Sequence, residues 1–216
     1  MKGRRDLLQE LSLTPVINAF ETVTAYGGSL MPEEVLSAMA EVSGRFVDIR
    51  ELNRMVGKRI AELTGNESAI VVGGCAAGLA VSVAAAITGP DPGAVDSFSP
   101  ESNRVAEVVV FRGQRNPYDR ALTLPGTKLV EFGYPTHQAR TAQLENAITE
   151  NTVAVFYFAG GIFQRYALSI EETVRVAHSK GVPVFVDGAA QVPPKANLWR
   201  YTAAGADLAL FSVGKG

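Results

Sequence analysis

Two charged residues close apolar runs at positions where chemistry is expected. Asp187 ends Pro183-Val-Phe-Val-Asp187, and Lys215 follows Leu208-Ala-Leu-Phe-Ser212 within three residues. Their separation of twenty-eight positions fits one strand–helix–strand unit, which sets both strand ends side by side on one sheet edge. A third feature, Gly73-Gly74-Cys75-Ala76-Ala77-Gly78, follows the apolar run Ala69–Val72 and opens an alanine-rich stretch. Glycines permit close backbone approach, and a helix start offers unpaired N–H groups to an anion. A carboxylate, an amine and an anion cradle together suit pyridoxal 5′-phosphate. Its aldehyde forms an imine with a lysine, its ring nitrogen is held protonated by a carboxylate, and its phosphate rests on a helix start. Taken singly, the features have plainer readings: Asp187 as a helix cap, Lys215 as a solvated lysine, the glycines as packing.

Competing phosphate motifs fail. Cys75 occupies the middle glycine of the dinucleotide fingerprint, and no acid closes a following strand at the required distance. Around Gly214-Lys215 the Walker pattern lacks its upstream glycine, because Ala209 stands there, and Gly216 replaces the Ser or Thr.

The elements that must position these residues alternate from Ser68 onward. Six strands are expected: Ala69–Val72, Val105–Phe111, Lys128–Glu131, Val153–Phe158, Val182–Val186 and Asp207–Phe211. Helices lie between most of them, including Ala76–Thr88, Arg140–Ile148 and Ser169–Lys180. Continuous β-branched runs separated by helices predict an α/β fold, a three-layer, mostly parallel sheet covered on both faces. Before it come a short polar helix within the first fifteen residues, an extended piece at Val16–Ala19, a helix from Pro32 and a helix from Asp48 to Leu63. The last stops at Gly65 and carries Leu52, Val56, Ile60 and Leu63 on one face. The expected division is residues 1–65 as an N-terminal segment and 66–216 as the cofactor-binding domain.

Of the 216 residues, 47% are apolar, enough for a full core. Only 19% are charged, against about 25% in ordinary soluble domains, which argues against a disordered chain. Twenty basic residues against twenty-two acidic ones leave a net charge of −2 and no basic excess for nucleic acid. One cysteine and two histidines argue against a disulfide framework or a closed zinc site. The sequence shows no membrane span and no apolar leader, so a cytoplasmic protein is expected.

Val-Asp-Gly-Ala-Ala-Gln191 and Phe-Ser-Val-Gly-Lys-Gly216 resemble the cofactor motifs of fold-type I pyridoxal-phosphate enzymes. Several further stretches are similar to the group containing D-glucosaminate-6-phosphate ammonia lyase and bacterial selenocysteine synthase. They include Pro15-Val-Ile-Asn-Ala19, Gly27-Gly-Ser-Leu-Met-Pro-Glu-Glu-Val35, Phe46-Val-Asp48, Ala61-Glu-Leu-Thr-Gly65, Gly74-Cys-Ala-Ala-Gly78 and Arg115-Asn-Pro-Tyr-Asp119. The resemblance implies Lys215 as the residue that carries the cofactor and Asp187 as the partner of its pyridine nitrogen. Gly74, Cys75 and Ala76 would give backbone N–H groups to the phosphate, with the Ser212 hydroxyl. Ala189 would lie under the ring and Gln191 near its phenolic oxygen. The other ring face would be covered by Gln114, Asn116 or Tyr118. Arg115, with Asn116 and Tyr118, is a candidate substrate contact, as are Arg112 and Arg165. Cys75 reads either as a reactive thiol or as a small residue that leaves its backbone free. His178 is expected at the surface, and His137 at a strand end.

The resemblance also implies a further strand and a small domain after Lys215, so the chain is expected to be a truncated product that holds the cofactor poorly by itself. The implied activity is loss of water and then ammonia from an amino sugar acid or related 2-amino acid, in a homodimer or higher homo-oligomer. Selenium transfer onto seryl-tRNA is a second reading, which the balanced charge disfavours. A shortened relative acting as a partner subunit is a third.

Overall fold

The computed structural model describes residues 7–20 and 22–215; the first six residues of the expected polar N-terminal helix lie outside them. The first half is helical: α1 (Leu7–Glu10), α2 (Glu33–Ser43), α3 (Ile49–Thr64), α4 (Cys75–Thr88) and α5 (Pro92–Asp96). Strands and helices then alternate through β1 (Glu107–Phe111), α6 (Arg120–Thr123), β2 (Lys128–Phe132), α7 (Thr141–Ala147) and β3 (Thr152–Phe158). They continue through α8 (Ile170–Ser179), β4 (Val184–Asp187), α9 (Asn197–Ala203) and β5 (Leu208–Leu210). The five strands form one parallel sheet in the order β2-β1-β3-β4-β5. No described helix is long and apolar enough to cross a membrane.

Both sheet faces are apolar because successive strand residues point to opposite sides. Val109, Val155, Val184 and Val186 pack with Leu144 of α7 and Val174 and Ala177 of α8. Val108, Val110, Phe156 and Phe185 pack on the other face with Leu79 and Val83 of α4. Leu79 and Val83 are almost fully buried, and each such side chain stabilises the α4–sheet contact by about 1.5–3 kcal/mol. Helix α4 packs tightly on β5 at Gly78: a Cβ there would stand 2.6 Å from Leu210 Cδ2, and the leucine side chain would have to shift.

The expected first strand is not part of this sheet. Residues 69–72 adopt no strand, and Val71 is bonded by a side chain instead: Asn53 Nδ2 donates to the Val71 carbonyl at 2.9 Å, and Val71 N–H donates to Asn53 Oδ1 at 3.1 Å. Helix α3 sits so close here that a Cβ on Gly57 would stand 2.1 Å from the Ala69 carbonyl oxygen. This contact also decides which residues of α3 are buried. Its buried residues are Gly57 and Ala61, the small ones, whereas Leu52, Val56 and Leu63 remain exposed. The final strand is shorter than expected, three residues instead of five.

Candidate active site

Asp187 is the last residue of β4, and its register partner on β5 is Leu210. Alternation along β4 turns Val184 and Val186 toward α8 and sends Asp187 to the α4 side. There the carboxylate is 3% exposed. Its Oδ1 accepts the Ala189 N–H at 2.8 Å and the Cys75 thiol at 3.3 Å. Burial pushes the Asp187 carboxyl above its ordinary range, against the opposing pull of the Ala189 N–H, the Cys75 thiol and the Lys215 charge. A buried carboxylate with this little compensation is a group built to face a cation or to hold a proton.

Cys75 opens α4. Burial first, and then the Asp187 charge, push its thiol upward, so it stands as a protonated donor to Asp187. This geometry gives no support to a reactive thiolate. Gly74, at φ 112° and ψ 167°, turns the chain into the helix without a side-chain cap. Its own N–H donates to the Val72 carbonyl at 2.8 Å. The first intrahelical bond runs from Gly78 N–H to the Gly74 carbonyl, so the groups ahead of it belong to Cys75, Ala76 and Ala77. Ala77 adds a third open N–H to this helix start, and counting three positions past the last glycine of the turn finds it.

Lys215 lies on a short 3₁₀ turn, Val213–Lys215, just past β5. Its charge pulls both Asp187 and Cys75 downward, the smallest of the influences on each. Its Nζ also stands 5.4 Å from the centre of the Tyr118 ring. The three candidates for the opposite ring face thus differ. Gln114 is buried and clamps β3, donating to the Phe158 carbonyl at 3.2 Å and accepting the Phe158 N–H at 3.1 Å. Asn116 caps the turn Pro117–Asp119. Tyr118 is exposed beside the lysine.

The remaining candidates divide similarly. Ala189 and Ser212 are joined, Ser212 N–H donating to the Ala189 carbonyl at 3.3 Å. Gln191 continues the same turn, with its carbonyl accepting Asn197 Nδ2 at 2.6 Å and its Nε2 toward Gly160. Arg115 is committed to two carboxylates, Asp119 at 2.5 Å and Glu131, so it is no free anion clamp here. Arg112 pairs with Glu131 at 2.8 Å, and Arg165 lies over the Tyr166 ring. His178 sits at the surface with Asp207 at 2.8 Å, and exposed His137 contacts Thr136.

A parallel sheet with a buried aspartate ending one strand, a lysine just past the next and an open helix start between defines a class. The fold is that of the large domain of fold-type I pyridoxal-phosphate enzymes. Within that class the chain is 35% identical, over 97% of its length, to D-glucosaminate-6-phosphate ammonia lyase of Salmonella typhimurium (strain 14028s / SGSC 2262), covering 57% of that protein. A solved structure of D-glucosaminate-6-phosphate ammonia lyase superposes with a TM-score of 0.89 at 35% identity, over 98% of this chain and 57% of the other. A 5′-C-glycyluridine monooxygenase-decarboxylase of a Streptomyces species is 32% identical over 94% of this chain and 52% of its own. No family model matches. The chain spans about half the length of these curated relatives.

Proposed function

We propose that this chain carries the cofactor-binding part of a pyridoxal-phosphate lyase that removes water and then ammonia from an amino sugar acid or related 2-amino acid. One observation carries the reading: the buried Asp187 carboxylate shares a sheet edge with Lys215, in front of the uncapped start of α4. These residues fit the cofactor, since each of its three charged or reactive parts meets a group of matching chemistry. When bound, the cofactor supplies an electron sink next to the substrate Cα.

The chain's own residues would do the rest. Asp187 holds a proton on the ring nitrogen, and the Cys75 thiol and Ala189 N–H fix the carboxylate for that task. The N–H groups of Cys75, Ala76 and Ala77 bind the phosphate, with the Ser212 hydroxyl beside them. Ala189 supports one ring face, Tyr118 covers the other, and Gln191 lies near the phenolic oxygen. Lys215 Nζ, once free, takes the Cα proton. An ordinary lysine amine has a pKa of about 10.4, so a nearby positive charge is needed to keep it usable as a base.

The exposed apolar side chains of α2 and α3, Met39, Val42, Leu52 and Met55 among them, support a further proposal that two copies pair through these helices. The activity is tested with the gene carried to the length of its relatives, by assaying ammonia release from a panel of amino sugar acids. Ammonia and a 2-keto acid in equal amounts are expected. No ammonia from any of them, with oxygen uptake on a glycyl nucleoside instead, would contradict it and favour the chemistry named for the Streptomyces relative.

A further inference from the structure

The reactive lysine sits at the end of a short turn, and such a turn holds a long side chain poorly unless something braces it. Here the brace comes from the other end of the chain. Thr22 Oγ1 donates to the Lys215 carbonyl at 3.0 Å, across 193 positions. Ser29 N–H donates to the Gly214 carbonyl at 2.8 Å. Between them, Gly28 lies so close that a Cβ would stand 2.1 Å from the Gly214 oxygen, and its φ of +75° already favours glycine.

The bracing loop is itself tied down. Gly27 N–H donates to the Thr24 carbonyl at 3.0 Å and Gly28 N–H to the Val23 carbonyl at 3.2 Å, closing the turn Thr24–Tyr26. Lys215 N–H donates to the Ser212 carbonyl at 3.0 Å, so the turn carries one bond of its own and two from the loop.

We propose that Thr22, Gly28 and Ser29 are positioning residues that clasp the Gly214-Lys215 backbone and aim the lysine amine at the site. The proposal rests on Lys215 being the cofactor-bearing residue. It assigns a purpose to the Gly27-Gly28-Ser29 stretch that the site chemistry leaves unused. The clasp touches only backbone, so it leaves the amine free to react and to move a proton.

Two measurements on the protein carried to the length of its relatives separate the clasp from the cofactor assignment. The first is amide hydrogen exchange without cofactor, followed at Ser29 and Lys215. The second is the rate at which pyridoxal phosphate is captured on Lys215, trapped with borohydride and read by mass spectrometry. Thr22→Val should speed exchange at the Lys215 amide and slow capture, each by about fivefold, the equivalent of one ordinary hydrogen bond. Thr22→Ser should restore both, and Gly28→Ala should exceed Thr22→Val on both if the variant folds. Faster exchange with unchanged capture overturns the positioning role, and so does a Thr22→Ser protein that behaves like Thr22→Val. Unchanged exchange in Thr22→Val overturns the clasp itself. No adduct in the wild type overturns the cofactor assignment and the purpose given to the clasp, while the exchange rates still report whether the loop holds the turn.

Discussion

Asp187→Asn should make the cofactor-free protein more resistant to heat at neutral pH while removing the function. The folded state holds the Asp187 carboxyl above its ordinary value of 3.8, chiefly through burial. Between that value and the raised one, the folded chain binds more protons than the unfolded chain, so unfolding free energy falls as pH rises. Above the raised value the full penalty of a buried charge is present. Asparagine carries no charge and keeps an oxygen for the Ala189 and Cys75 donors. Melting curves at a series of pH values should therefore show the variant ahead at pH 7 to 8, with the gap closing toward pH 4.

Two other readouts belong to the same variant. The Cys75 thiol loses the neighbouring carboxylate charge that raises it, so alkylation at pH 8 should accelerate. In the relative-length protein, turnover should fall by about a hundredfold or more, because an amide does not keep a ring nitrogen protonated. A variant less stable than wild type by the same margin at every pH would show that the carboxylate's bonds outweigh its burial.

Gly74→Ala should be the second large effect. At φ 112° and ψ 167° the backbone lies in a region that is essentially glycine's alone, and a side chain there costs on the order of 1–3 kcal/mol. No atom stands within 4 Å of the added Cβ, so the cost is conformational and not steric. Wild-type protein should melt higher in inorganic phosphate, through binding at the start of α4, and Gly74→Ala should lose most of that gain. Gly73→Ala is the control, since its Cβ also meets open space and its φ is not positive. Equal losses in the two variants would remove the conformational argument.

The central strands β1, β3 and β4 were legible because each is a mostly apolar, valine-containing run that the sheet buries. Residues 69–72 look the same in sequence but join no strand, Val71 bonding to the Asn53 side chain, and a four-residue apolar run carries no mark of its partner. Asp187 and Lys215 were legible from their place at strand ends. The Cys75 bond to Asp187 was not, because 112 positions separate them and only the packing of α4 on the sheet joins them. Arg115 shows the same limit. Asp119 four positions on hints at a pair, whereas Glu131 arrives from β2 through strand register. The apolar face of α3 does not reveal how the helix packs, since it does so through its smallest residues, Gly57 and Ala61, and leaves Leu52, Val56 and Leu63 exposed.

The most direct test is a peptide map of the protein carried to the length of its relatives, after incubation with pyridoxal phosphate and reduction with borohydride. The mass increase is expected on the peptide containing Lys215, and it should vanish in Lys215→Ala while the fold is kept. Label spread over surface lysines such as Lys180 and Lys195, with Lys215 unmodified, would contradict the account.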